Sequence, residues 1–107
     1  MSEAELAKHF IEYFSEGYEI FQEVPAYGVI DFVAKQGAIN IAVEVKKNLN
    51  FQVIEQAFFN RSYCTYSYIA VPAVKSHHFG HKICQEYGIG VLEYRERGFM
   101  ENRNVFE

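Results

Sequence analysis

Apolar residues recur along this chain with two different periods, and the switches between them mark out its elements. Leu6, Ala7, Phe10, Ile11 and Phe14 fall three and four residues apart, the spacing of one helix face. Ser2, with Glu5 three places on, is the S-x-x-E pattern of a capping box, and Gly17 supplies a stop. The period then changes. Residues 18–24 are rich in aromatic and β-branched side chains up to Pro25, residues 29–34 predict a second strand, and residues 39–46 a third. In that third segment Ile39, Ile41, Val43 and Val45 alternate with Asn40, Ala42, Glu44 and Lys46, so one face is apolar and the other polar. Asn50 caps a second helix on which Phe51, Ile54, Glu55, Phe58 and Phe59 are helically spaced. Residues 66–71 form the next strand, stopped by Pro72. Ser76 caps a third helix that runs to Tyr87 and ends at Gly88, and residues 91–94 are a last strand before a charged tail. The order α-β-β-β-α-β-α-β predicts an α/β fold, a mixed sheet flanked by helices.

The turn between the second and third strands acts as a ruler. With Gln36-Gly37 as a two-residue turn, Lys35 faces Ala38, which sets Asp31 opposite Ala42 and Glu44 opposite Val29. Opposed residues share a face, so Asp31, Glu44 and Lys46 project from the same side, with the two carboxylates as diagonal neighbours about 7–8 Å apart. A three- or five-residue loop would turn Asp31 away. Two carboxylates converging beside the small Ala42 form an oxygen-rich pocket suited to Mg²⁺ or Mn²⁺, to which the Val45 carbonyl adds a further ligand. With the Lys46 ammonium reaching the same pocket, the set suits phosphodiester hydrolysis. The metal polarises the phosphate and acidifies a bound water, while the lysine offsets the charge that builds up.

Ile30-Asp31, followed after twelve residues by Glu44-Val45-Lys46, resembles the PD-(D/E)xK nuclease superfamily, with Ile30 at the place of the motif's proline. The superfamily's restriction-endonuclease-like α-β-β-β-α-β core is similar to the order read above over about the first 72 residues. The opening, an acidic first helix leading into Gly17-Tyr18-Glu19-Ile20, is most similar to the Mrr-like and Holliday-junction-resolvase-like branches. The resemblance implies a single nuclease-like domain over residues 1–107 and a Mg²⁺-dependent deoxyribonuclease for which Mn²⁺ can substitute. It makes Asp31 and Glu44 metal ligands, together with a first-helix glutamate (Glu5, with Glu12 as the alternate), and Lys46 the catalytic lysine. Gln56 matches the glutamine that several branches carry on the following helix. In the Gln-x-x-x-Tyr form of that element, Asn60 stands at the fourth place here.

Composition narrows the setting. A chain of 107 residues, half of them hydrophobic, is the size of one domain with a core. It leaves little room for a separate sequence-reading domain, so recognition of DNA structure by a homodimer is expected, with a protein partner as another source of specificity. The net charge of −4 argues against coating nucleic acid by bulk positive potential, but not against an acidic site that carries a divalent cation. Cys64 and Cys84 make neither a disulfide framework nor a zinc ribbon, no apolar run is membrane-spanning, and the N-terminus is acidic. A cytoplasmic protein with no membrane segment is therefore expected.

Each candidate has a plainer reading beside it. Asp is disfavoured in mid-strand, which favours a working role for Asp31, whereas Glu44 and Lys46 alone would be a solvated strand face. Lys47 is a rim charge within reach of a phosphate. Arg61 is either a phosphate contact or a cation at a helix C-terminus. His77 and His81 stand four apart, as a transition-metal pair or a solvated helix end. Tyr63, Tyr66 and Tyr68 either stack on bases or pack as strand tyrosines. The 10 Phe and 8 Tyr residues suggest an exposed patch that would support a dimer. Two rivals remain: a catalytically silent nucleic-acid-binding or assembly module, and a different α/β domain whose acids are surface charges.

Overall fold

A computed structural model of the chain describes residues 1–73, 78–95 and 99–103. Its elements run α1 (Glu3–Ser15), β1 (Glu19–Pro25), β2 (Val29–Gln36), β3 (Ile39–Val45), α2 (Phe51–Asn60), β4 (Tyr66–Pro72), α3 (His78–Glu86), β5 (Gly90–Arg95) and β6 (Phe99–Arg103). The six strands form one sheet in the order β1-β2-β3-β4-β5-β6. β1, β2 and β3 are joined antiparallel, β3, β4 and β5 are parallel through the crossovers α2 and α3, and β6 returns antiparallel. The fold is α/β with a mixed sheet flanked by helices. The tail expected after the last strand contains β6, which the sequence reading missed because its charged residues carry no apolar alternation. Ser76 and His77 lie outside the described residues.

Alternation along the strands decides where each core forms. Leu6, Phe10 and Phe14 of α1 pack on Phe32, Ala34, Ile41, Val43, Val45, Tyr68, Ala70 and Leu92, one face of the sheet. The intervening positions Ile69, Val71 and Val91 face α2 and α3 through Val53, Ile54, Ala57 and Cys84. Both faces of β3 are therefore covered. The side of β3 read as polar is closed off over Ala42 and Glu44, which are 0% and 1% exposed. The parallel β3–β4 crossover puts α2 over that face, a tertiary event that strand periodicity does not report. Both cysteines are free. Among the described residues no helix is long and apolar enough to cross a membrane.

The hairpin register differs from the expected one by one place in the turn. Gln36 pairs with Ile39, so the two turn residues are Gly37 and Ala38 rather than Gln36 and Gly37. Gly37, at φ +59, occupies the first central position, where a type II′ turn needs positive φ; Gln36 would be strained there. The loop still has two residues. Parity is preserved and Asp31 stays on the face of Glu44, but the pairing slides so that the two are no longer diagonal.

At the β4–β5 junction Gly90 lies opposite Tyr68, and a Cβ there would sit 2.6 Å from the tyrosine ring. Gly90→Ala is expected to destabilise the chain by about 1–3 kcal/mol through overpacking, read from urea unfolding.

Candidate active site

The last regular pair between β2 and β3 is Phe32 with Val43, and one step further come Asp31 and Glu44. The ladder ends there and side chains take over its hydrogen bonds. The Val45 N–H donates to Asp31 Oδ2 at 2.7 Å, and the Asp31 N–H lies close enough to the Glu44 carboxylate to favour its charged form. On its other edge β3 remains paired with β4, where the Lys46 N–H donates to the Ala70 carbonyl at 3.0 Å. Because successive residues of a strand point their backbone groups to opposite edges, the Val45 carbonyl points with its N–H toward β2, beside Asp31. The β1–β2 ladder skips the same level. Gln22 pairs with Phe32 and Val24 with Ile30, while Glu23 between them holds φ +53, a strained conformation worth about 1–3 kcal/mol for a non-glycine residue.

Glu44 is reached from α2. Asn60, 2% exposed, donates its side-chain amide to Glu44 Oε2 at 2.8 Å. Burial pushes the Glu44 carboxyl up from 4.5 to about 7, and the Asp31 charge adds to it, against the Asn60 amide, the Lys46 ammonium and the Asp31 N–H. Asp31 is raised as well, by burial first. The Val45 N–H and Lys46 oppose that rise, and the charges of Glu3 and Glu23 reinforce it. Two neighbouring carboxyls held where negative charge is disfavoured are a pair whose repulsion a divalent cation would relieve. Each keeps an oxygen beyond those bound by Val45 and Asn60, and the Val45 carbonyl adjoins them. Mg²⁺ takes one or two carboxylates and fills its shell with water and phosphate oxygens, so these donors fit it. Among the described residues no group of three or more Asp, Glu, His or Cys side chains is placed to hold a metal.

The other candidates fall at varying distance from this centre. Lys46 is partly buried on β3's end, near enough to lower both carboxyls. Glu5 is fully exposed and tied to Ser2 in the expected capping box, and Glu12 is exposed further along α1. The α1 carboxylate whose charge reaches Asp31 is Glu3, which also accepts from the Lys47 N–H at 3.4 Å. Gln56 is partly buried one turn before Asn60, but the amide that reaches Glu44 is that of Asn60. The Gln56-x-x-x-Asn60 spacing was the available signal for it. Arg61 caps α2 with its guanidinium 5.4 Å from the centre of the Phe58 ring. His81 lies 3.5 Å from the buried Glu93, which also meets Arg95 at 3.7 Å. Tyr68 is buried and Tyr66 packs on the same core, so of the three strand-region tyrosines only Tyr63 is open, at 57% exposure.

A carboxyl whose pKa is raised in the folded chain keeps its proton after the unfolded chain has lost it. The stability it confers is complete below about 4.5 and is lost as pH climbs through about 7. Thermal melts from pH 5 to 8 are expected to show this decline in wild type and a shallower one in Glu44→Gln. Mg²⁺ is expected to raise the wild-type melting temperature more at pH 8 than at pH 5, where protons compete for the carboxylates. Asn60→Ala, which leaves a buried carboxylate short of a donor, is expected to cost about 1–3 kcal/mol in denaturant unfolding.

Compared with known proteins, the chain matches no family model and no curated sequence, so the functional reading rests on the geometry and on the motif.

Proposed function

We propose that this chain is a metal-dependent deoxyribonuclease of the PD-(D/E)xK type that hydrolyses phosphodiester bonds. The observation that carries the proposal is the meeting of Asp31 and Glu44 where the β2–β3 ladder ends, with Lys46 two residues beyond Glu44 on the same side. The element order α1-β1-β2-β3-α2-β4 supports it, being the order of the restriction-endonuclease-like core. So does the burial of Glu44, since a solvated strand face would leave it open.

In this mechanism Asp31 and Glu44 would hold Mg²⁺ or Mn²⁺, to which the Val45 carbonyl would add a further oxygen. A bound divalent cation supplies Lewis acidity toward the phosphate and lowers the pKa of the attacking water. The chain supplies the rest. The Val45 N–H fixes the Asp31 carboxylate and the Asn60 amide fixes that of Glu44, so neither must reorganise as charge develops. Lys46 brings an ammonium to the phosphate, where it offsets the added negative charge and orients the nucleophile. Lys47, at the rim, meets a neighbouring phosphate. The substrate is DNA recognised by its structure, and a homodimer would place two such sites on two strands.

Supercoiled plasmid, linear duplex, single strand and four-way junction, incubated with Mg²⁺, Mn²⁺ or EDTA, test this. Wild type is expected to cut in either metal and not in EDTA, and Lys46→Ala to lose at least about 100-fold in rate. A folded wild type that binds these DNAs and cuts none would make the chain a silent binding module.

A further inference from the structure

One exposed feature has no part in the chemistry above. Tyr27, in the turn between β1 and β2, stacks on Phe59 of α2 with ring centres 4.4 Å apart and planes 18° from parallel. Phe59 meets Phe58 edge-on at 5.3 Å, Phe58 meets Tyr87 at 5.3 Å, and the Arg61 guanidinium lies over Phe58. None of these four rings belongs to a buried core. Tyr27 is 52% exposed, Tyr87 50%, and the two phenylalanines 37% each. The rings come from the same two segments as the pocket residues. Tyr27 precedes Asp31 by four residues, and Phe59 is the neighbour of Asn60, which holds Glu44.

We propose that this aromatic ladder seats unpaired bases of the nucleic-acid strand whose phosphodiester enters the Asp31–Glu44 pocket, so that the substrate is single-stranded or locally unpaired. The inference rests on the phosphodiester-cleaving reading and adds the substrate class. Charge argues for it. Among the described residues the cations at hand are Lys46 and Lys47 at the pocket, Arg61 on the ladder and Lys82, which lines a groove with Tyr87, in a chain of net charge −4. Phosphate neutralisation by so few cations gives weak binding, and affinity has to come from another source. Stacking on exposed rings is such a source. It is open only to a base whose π-face is free, which a base inside a duplex lacks. Arg61 extends the platform, because a guanidinium plane also accepts a base.

Fluorescence anisotropy with a labelled single strand and the matching duplex in EDTA, where nothing is cut, reads this directly. Wild type is expected to bind the single strand more tightly than the duplex, with a slope of log affinity on log salt no steeper than about −3 for four cations. Tyr27→Ala and Phe59→Ala are each expected to weaken single-strand binding by roughly 5- to 100-fold. Tyr27→Phe retains a π-face and is expected to bind nearly as wild type. Tyr27→Leu retains only apolar bulk and is expected to behave like the alanine variant. Circular dichroism melts check that each variant folds. Lys46→Ala is expected to keep single-strand binding within a few-fold while losing cleavage, which separates this inference from the nuclease reading. Unchanged binding by Tyr27→Ala, equal or tighter binding of duplex, or no single-strand binding by wild type would overturn the ladder's role even if metal-dependent cutting is found. A wild-type dimer in light scattering that Tyr27→Ala converts to monomer would overturn it too, by giving the surface to a second copy of the chain.

Discussion

Backbone donors inside a sheet have to be paired, and in this protein one of them is paired by a carboxylate. The Val45 N–H faces β2 at the level where the β2–β3 ladder stops, and Asp31 Oδ2 takes the bond at 2.7 Å. That exchange holds the Asp31 side chain in the seam between two strands instead of letting it extend into solvent. Its own N–H faces the Glu44 carboxylate and favours its charged form, so the two acids meet where the two strands part. The position of both acids follows from this break, and with it the raised pKa values.

The break is tolerable because α2 covers it. Asn60 reaches Glu44 from the last turn of the helix, and the Ser67 hydroxyl donates to the Ala57 carbonyl at 2.6 Å, which fastens α2 to β4 one turn earlier. Val53, Ile54 and Ala57 bury the same side of α2 against the sheet, so the amide is delivered by a packed helix rather than by a mobile loop. Burial then works in two directions. It strengthens the bonds that orient the carboxylates, and it leaves their charge poorly solvated unless a cation arrives. The strain at Glu23 adds to the picture of a local arrangement held by its surroundings rather than by its own preference.

A similar economy appears at the other end of the sheet's α2–α3 side, where buried Glu93 lies between His81 and Arg95. A carboxylate so deeply enclosed persists only with such partners about it. The exposed rings around the end of α2 are the opposite case, apolar surface left open next to a polar pocket. The two environments meet at adjacent residues, Phe59 and Asn60, which point to different sides of one helix turn.

The amino-acid sequence by itself determined the order of elements through β5, because the switch from three-and-four spacing to alternation is a local property of the chain. It also determined that Asp31 and Glu44 share a face. Any two-residue turn preserves that parity, whether it begins at Gln36 or at Gly37. Ser2 and Glu5 as a capping box were legible for the same reason, being three residues apart in one turn of helix. Tertiary structure decided the rest. The register depended on which residue accepts positive φ, and that choice moved Asp31 from a diagonal position to one beside Glu44. The burial of a strand face that reads as polar required the crossover helix α2 to land on it. Glu3 rather than Glu5 is the α1 carboxylate whose charge reaches Asp31, a matter of how α1 docks on the sheet through Leu6, Phe10 and Phe14. Asn60 became the partner of Glu44 because a helix wedged against the sheet brings together residues sixteen apart in sequence, a distance over which no local pattern carries information.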